Sequence, residues 1–273
     1  MKDLQEKVVV VTGASGGIGK ALALAFADEG CHVVICDRRK EELEKVASEI
    51  RAKGRNALAV TTDVSDEEQV KAMAAETFKA FGKVDILVCN AGFGWTGPTH
   101  LMERSDWDTV FNTNFFGVVH FIRHFVPSMT KQRQGHVVIV SSIFGITCIP
   151  FGTLYASSKA ALIALGECLR SELRRYHVGV TTVCPGLIES DLITNTHFKK
   201  VDEEARSLAA FVTPMPVDKC TRIIIRAVKK NQGVIVITWL AKLLWYCKRI
   251  SQRLYEGILL IITLTTQRYV KEQ

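Results

Sequence analysis

The sequence predicts an α/β protein built on one doubly wound, seven-stranded parallel sheet, followed by a C-terminal amphipathic helical extension. Three observations predict it. Short β-branched runs alternate with amphipathic helical stretches along most of the chain, the pattern of repeated βαβ units. The runs are nearly all apolar, as strands are when helices cover both faces of their sheet. A glycine-rich turn joins the first strand to the first helix. The composition agrees: 273 residues, 48% hydrophobic and 23% charged, with 19 Gly and 6 Pro, exclude a disordered chain, a collagen-like fibre and a low-complexity linker.

The elements follow in order. Val8–Thr12 is a pure β-branched run and opens the sheet. A helix over 17–29 returns the chain to a second strand, His32–Cys36. A helix over 39–53 leads to Ala57–Thr61, and one over 66–81 leads to Val84–Cys89. The third helix opens on Asp66-Glu67-Glu68, carboxylates that favour a helix N-terminus, and a solvated helix start explains that run. Helices over 106–131, 155–176 and 217–230 separate the last strands, His136–Ser141, Val180–Cys184 and Val234–Ile237. Right-handed crossovers then give the doubly wound sheet. The expected division is a dinucleotide-binding and catalytic unit over 1–238 and the extension over 239–273.

The eight cysteines lack C-x-x-C spacing and read as small buried hydrophobes in a reducing compartment. The N-terminus shows no apolar stretch before the first strand, which points to the cytoplasm. The net charge of +7 is concentrated at the end: Lys229 to Gln273 holds eight Lys/Arg against two Asp/Glu. The same segment is rich in Leu, Ile, Trp and Tyr, which points to an anionic membrane surface and away from nucleic acid.

After the first strand comes Thr12-Gly13-Ala14-Ser15-Gly16-Gly17-Ile18-Gly19. Glycines there let the backbone approach a pyrophosphate, and the helix N-terminus supplies free N–H donors and a favourable dipole. Asp37 ends the second strand, about twenty residues further on, where an acid accepts from ribose hydroxyls and repels a 2′-phosphate. Arg38 and Arg39 argue the other way, since a guanidinium can bind that phosphate. NAD is favoured over NADP.

Tyr155 and Lys159 are four residues apart in a helical stretch and therefore share a face. A tyrosine with its ordinary pKa near 10 is a poor base at neutral pH, and an adjacent ammonium together with the positive nicotinamide of an oxidised cofactor would stabilise the phenolate and lower that pKa. With this pair the chain resembles the short-chain dehydrogenase/reductase family, of Rossmann type, from about Lys7 to Ile237. The matching motifs are T-G-x-x-x-G-x-G at Thr12–Gly19, Asp63-Val64, N-A-G at Asn90-Ala91-Gly92, N-x-x-G at Asn114–Gly117, Ser142, Y-x-x-x-K at Tyr155–Lys159 and Pro185-Gly186. Cys89 stands where the family usually has another Asn, and Ser190 where it commonly has Thr.

The resemblance implies an NAD(P)-dependent oxidoreductase acting on CH–OH groups. It makes Tyr155 the general acid of reduction and the general base of oxidation. Lys159 lowers the tyrosine's pKa and holds the nicotinamide ribose, Ser142 hydrogen-bonds the substrate oxygen, and Asn114 holds a water in a proton relay. It places Gly13, Ser15, Gly16, Gly17, Ile18, Gly19, Asp37, Arg38, Asp63, Val64, Asn90, Ala91, Gly92, Tyr155, Lys159, Pro185, Gly186, Ile188 and Ser190 around the cofactor. It also implies a homodimer or homotetramer. His120 and His124, four apart, could bind a metal, but no third ligand is apparent and the resemblance gives their helix a packing or interface role.

Pocket candidates beyond strand ends are Phe93, Trp95, Ile143, Phe144, Ile149, Phe151, Leu187 and Leu192, together with Ser142. They suggest a lipophilic alcohol or ketone of steroid, retinoid or long-chain lipid type, and Ile188–Pro214 reads as the lid over it. A silent cofactor-binding sensor or scaffold is the alternative.

The extension is too short in its apolar runs to span a bilayer, which needs about 20 residues. At 100° per residue Lys242, Arg249 and Arg253 fall within about 40° of one another, opposite Leu243, Cys247, Ile250, Leu254, Ile258 and Ile261. It is expected either to lie on an anionic membrane or to pack on a subunit and roof the pocket.

Overall fold

The computed structural model describes all residues except 191–195, 202–212, 267–269 and 271–273. Seven parallel strands form the main sheet in the order β3-β2-β1-β4-β6-β7-β9. They are β1 (Val8–Thr12), β2 (His32–Asp37), β3 (Ala57–Thr61), β4 (Ile86–Cys89), β6 (Gly135–Val140), β7 (Val178–Pro185) and β9 (Val234–Ile237). β1 pairs on one side with β2, Val8 opposite His32, and on the other with β4, Val9 opposite Ile86. The strand order reverses between them, which is where such sheets open a crevice at their carboxyl ends.

The two sheet faces sort by the period of two. Val9, Val11, Val33, Ile35, Ile86 and Val88 point to one face and pack with α1 (Gly17–Asp28), α2 (Lys40–Ala52) and α8 (Val217–Lys229). Val8, Val10, Val34, Leu87, Val137 and Ile139 point to the other, against α3 (Glu67–Phe81), α5 (Gly117–Gln132) and α7 (Thr153–Leu173). Asp66 caps α3 by accepting from the Glu68 and Gln69 amides, and Gly82 ends that helix at φ 71 in the left-handed region.

Three departures from the sequence reading have physical reasons. The strand expected from Val84 begins at Ile86, because the buried Asp85 carboxylate accepts from the Val8 amide at 3.0 Å and pairs with Lys7 and Lys83. The helix expected over 106–131 divides into α4 (Arg104–Phe111), a π-helical turn at Asn112–Phe116 and α5. Such turns often sit at functional sites, and this one carries Asn114. The expected burial of the cysteines holds for Cys31, Cys36, Cys89, Cys184 and Cys220, whereas Cys148 and Cys168 are exposed; all eight are free thiols.

The extension is not one amphipathic helix. It forms α9 (Trp239–Ile250) and α10 (Gln252–Thr266), separated at Ser251 by extended backbone. Ala241 packs with Ile143, Cys184 and Val236. Lys248 donates to the carbonyl of Ile146, and the Tyr255 hydroxyl donates to that of Cys148 at 3.0 Å. The extension thus packs on its own chain through Ala241, Lys248 and Tyr255. Leu243, Ile250, Leu254 and Ile261, expected to share an apolar face, are exposed, while Cys247 and Ile258 are half-buried. No helix among the described residues is long and apolar enough to cross a membrane.

Candidate active site

A cleft of about 980 Å³ opens at the carboxyl ends of the strands and runs from the glycine loop past Tyr155 to the Trp95 region. At one end, Gly13 adopts φ 66, a conformation that side chains disfavour. A Cβ there would lie 2.8 Å from Ala91 Cα, and one on Gly19 would collide with the Gly13 carbonyl. Asn90 fixes the loop: its side-chain amide donates to the carbonyls of Thr12 (3.0 Å) and Gly13 (3.3 Å). The Thr12 hydroxyl accepts from the amides of Asn90 and Ala91, both at 2.9 Å. Thr12 therefore ties two cofactor motifs together, a role that its place beside Gly13 signalled only weakly.

This end fits a dinucleotide. Gly16 provides no side-chain cap, and the first turn of α1 holds no acid, so the helix N–H donors there are left for an anion. Ser15 Oγ is buried with no hydrogen-bond partner. Asp37 sits at the end of β2, its carboxylate accepting from the Arg39 amide at 3.1 Å. Arg38 is exposed and its guanidinium lies 3.7 Å from the Asp63 carboxylate across the cleft. Asp63 also accepts from the Ser65 amide and hydroxyl. Gly16, Gly17, Ile18, Val64, Ala91, Gly92, Pro185, Gly186, Ile188 and Ser190 line the same cleft.

In the middle stand Ser142, beyond β6, and Tyr155 and Lys159, on the first turns of α7. The Ser142 side chain stands near enough to the Tyr155 hydroxyl to pull its pKa down, and its own hydroxyl accepts from the Phe144 amide at 3.2 Å. The Lys159 ammonium lies 5.8 Å from the centre of the Tyr155 ring and donates to the Val140 carbonyl at 3.0 Å. Burial lowers the Lys159 pKa to about 8. It raises that of Tyr155 to about 12, against which nearby Ser142 pulls downward. Desolvation dominates at the Tyr155 hydroxyl, and the phenol holds its proton.

Asn114 is fully buried. Its amide donates to the Phe93 carbonyl (3.0 Å) and the Ser158 hydroxyl (3.1 Å), and its oxygen accepts from the Phe93 amide at 3.0 Å. A Cβ on Gly92 would stand 3.0 Å from that oxygen and 3.2 Å from Lys159 Nζ, so the glycine lets these two groups approach. His120 bonds the Val64 carbonyl and His124 the Glu67 carboxylate, which accounts for the histidine pair as packing.

Of the pocket candidates, Phe93, Trp95, Ile143, Phe144, Ile149 and Leu187 line the cleft with Ser142. Phe151 does not: at φ 62 it turns the chain, and its carbonyl accepts from the Gly97 amide at 2.7 Å. Leu192 and much of the expected lid lie outside the described residues. The sequence reading missed His197, Phe198 and Val201, which also line the cleft. His197 stacks on Trp95 at 5.0 Å between ring centres, where β5 (Trp95–Thr96) pairs with β8 (His197–Phe198). A two-residue pairing leaves no periodicity to read.

The glycine loop, the acid at the end of β2 and the Ser–Tyr–Lys–Asn group define a class, and comparison with known proteins agrees. The family model described as short chain dehydrogenase matches residues 7–201. The chain belongs to the short-chain dehydrogenase/reductase family. It is 40% identical over 198 residues to dehydrogenase/reductase SDR family member 7B of Xenopus laevis, covering 70% of this chain and 61% of that one. The chain thus spans about three fifths of that relative's length. It is 36% identical to the 3-oxoacyl-acyl-carrier-protein reductase FabG of Thermotoga maritima, covering 78% of this chain and 84% of the other. A crystal structure of a short-chain dehydrogenase/reductase from Burkholderia phymatum in complex with NAD superposes with a TM-score of 0.86. That protein is 27% identical, and the match covers 93% of this chain and 96% of the other.

Proposed function

We propose that the protein reduces a lipophilic ketone, or oxidises the matching alcohol, with NAD(H) as the favoured cofactor. The observation that carries this reading is the convergence of Ser142, Tyr155 and Lys159, with the Lys159 ammonium 5.8 Å from the tyrosine ring centre, in a cleft that begins at the glycine loop. The N–H donors of α1 and Ser15 would hold the pyrophosphate, Asp37 the adenosine ribose and Lys159 the nicotinamide ribose. The bound nicotinamide supplies or accepts the hydride.

The chain's own residues do the proton chemistry. Ser142 and Tyr155 donate hydrogen bonds to the substrate carbonyl and polarise it. As charge grows on that oxygen, Tyr155 passes it a proton. Lys159 stabilises the resulting phenolate, and Asn114, through the Phe93 backbone and Ser158, keeps the surroundings of Lys159 in place for proton return. A tyrosine that holds its proton until the cofactor's positive charge is present suits the reductive direction.

The apolar wall of Phe93, Trp95, Phe144, Ile149 and Leu187 supports a bulky lipophilic substrate. Among steroid, retinoid and long-chain acyl classes, the likeness to a relative named for 3-oxoacyl reduction favours the last. We take residues 1–238 as the catalytic unit and 239–273 as an appended platform. The protein acts as a homodimer or homotetramer, a reading the exposed Phe116 beside α5 supports. It works in the cytoplasm, as exposed free thiols at Cys148 and Cys168 favour, with peripheral membrane contact through the extension.

The test is absorbance at the reduced-nicotinamide band, using NADH and NADPH against steroid, retinoid and 3-oxoacyl ketones. Turnover on one class supports the reading. Cofactor binding without turnover on any class favours a silent sensor.

A further inference from the structure

The nine large exposed hydrophobic side chains among the described residues are unevenly placed: Phe116 is in the sheet domain, and the other eight are in α9 and α10. On α9 they are Trp239 (74% exposed), Leu243, Tyr246 and Ile250 (81% exposed). At 100° per residue these four fall within about 60° of one another and form one ridge. Leu254, Leu260, Ile261 and Leu264 of α10 are exposed as well. The opposite side of the platform is occupied, with Ala241 packed against Ile143 and Tyr255 and Lys248 bonded to the 146–148 backbone.

The charges around this ridge select its occupant. Residues 239–266 hold Lys242, Lys248, Arg249 and Arg253 against the single acid Glu256. Lys242, Arg249 and Arg253 are exposed alongside the ridge, and Arg249 lies over the Trp245 ring at 5.3 Å. A second copy docking by a two-fold axis would set this basic ridge against its own image, a like-charge contact that costs energy. An anionic lipid surface matches both features. Apolar side chains enter the headgroup–acyl boundary, Trp and Tyr suit that depth, and Lys and Arg meet the lipid phosphates.

From this we infer that α9 and α10 form a docking face for an anionic membrane, resting on the reading of the extension given above. The polar side of the platform grips the segment after Ser142, whose Phe144 and Ile149 line the cleft. Val270 also bridges to Val201, another lining residue. Docking would therefore bring the cleft mouth close to the bilayer, from which a lipophilic substrate could enter.

The experiment is flotation of the full-length protein with vesicles of phosphatidylcholine alone, or of equal parts phosphatidylcholine and phosphatidylglycerol. Binding is expected to the anionic vesicles only, and to weaken as salt rises. Lys242→Gln and Arg253→Gln should each weaken partitioning about fivefold, the equivalent of roughly 1 kcal/mol per basic residue. The double variant Ile250→Ser/Leu254→Ser should abolish binding while leaving cofactor binding intact, since neither side chain touches the cleft. Failure of the wild type to float with anionic vesicles overturns the proposal. So does a concentration-dependent assembly in solution that the same double variant dissolves without any vesicle binding. NADH binding, followed in parallel, reports on the oxidoreductase reading independently.

Discussion

The Lys159 ammonium is held 5.8 Å from the centre of the Tyr155 ring by a hydrogen bond to the Val140 carbonyl. It is anchored to the last residue of β6, while Ser142 stands near the hydroxyl end of the tyrosine. The tyrosine thus has the lysine beside its ring and Ser142 near its hydroxyl, and Ser142 opposes the effect of burial. Burial prevails, leaving a proton donor with a pKa of about 12 beside a lysine whose pKa is about 8.

The buried lysine makes activity and stability pull apart. Its folded pKa is depressed from 10.5 to about 8, so the unfolded chain binds that proton more tightly. Stability then rises with pH between about 8 and 10.5, and the full penalty applies below 8. At about 1.36 kcal/mol per pKa unit the penalty at neutral pH is at most roughly 3 kcal/mol. Lys159→Met is expected to raise the melting temperature at pH 7 by several degrees while removing turnover. Thermal unfolding and a rate assay on the same sample check both halves.

His136 sets the acid limit of the fold. Burial lowers its pKa to about 3, and its ring bonds the Thr181 hydroxyl at 2.8 Å, which in turn donates to the Gln232 carbonyl. Below the unfolded value of 6.5 the unfolded chain takes up a proton that the native one refuses, so stability falls as pH drops from 6.5 towards 3. The expected loss at pH 5 is about 2 kcal/mol from this group. His136→Gln should flatten that slope in urea titrations run across the window.

Cofactor choice is predicted to lie at the end of β2. Asp37→Ala removes the carboxylate that would repel a 2′-phosphate and leaves Arg38 and Arg39 beside the space. The ratio of kcat/KM for NADPH to that for NADH should rise at least tenfold, the scale of one charge-assisted hydrogen bond. An unchanged ratio would remove Asp37 as the selector.

Gly92 tests the positioning of the proton relay. A methyl group there meets Asn114 Oδ1 at 3.0 Å and Lys159 Nζ at 3.2 Å. Gly92→Ala should lower kcat by about tenfold or more, because displacing the groups around a reacting centre by a fraction of an ångström is costly. Its KM for NADH should change less, and steady-state kinetics separates the two.

Much of the fold was legible because its signals are local. Val8–Thr12 appears as read, since a run of β-branched residues leaves little choice, and Ala57–Thr61, mostly Ala and Leu, is placed by the turns that bound it. The site motifs were legible because each depends on fixed spacing: Tyr155 and Lys159 share a helix face, and the glycines share a turn. Long-range terms escaped. The π-turn that buries Asn114 arises where α4 meets α5, and no periodicity announces it. His197 reaches Trp95 only through a two-residue strand pairing. The extended backbone at Ser251 divides the amphipathic extension into two helices, and the apolar side chains Leu243, Ile250, Leu254 and Ile261, expected either to meet a membrane or to roof the pocket, are exposed. Phe151 looked like a pocket wall, but its left-handed backbone serves a turn.

Whether Tyr155 delivers the proton is decided by comparing wild type with Tyr155→Phe. NADH binding is followed by fluorescence and NADH oxidation by absorbance, with the best ketone of the panel. NADH affinity should be unchanged and kcat should fall about 10³-fold, within the range for loss of a general acid. A variant that turns over at the wild-type rate would contradict that role and move the proton donor elsewhere in the cleft.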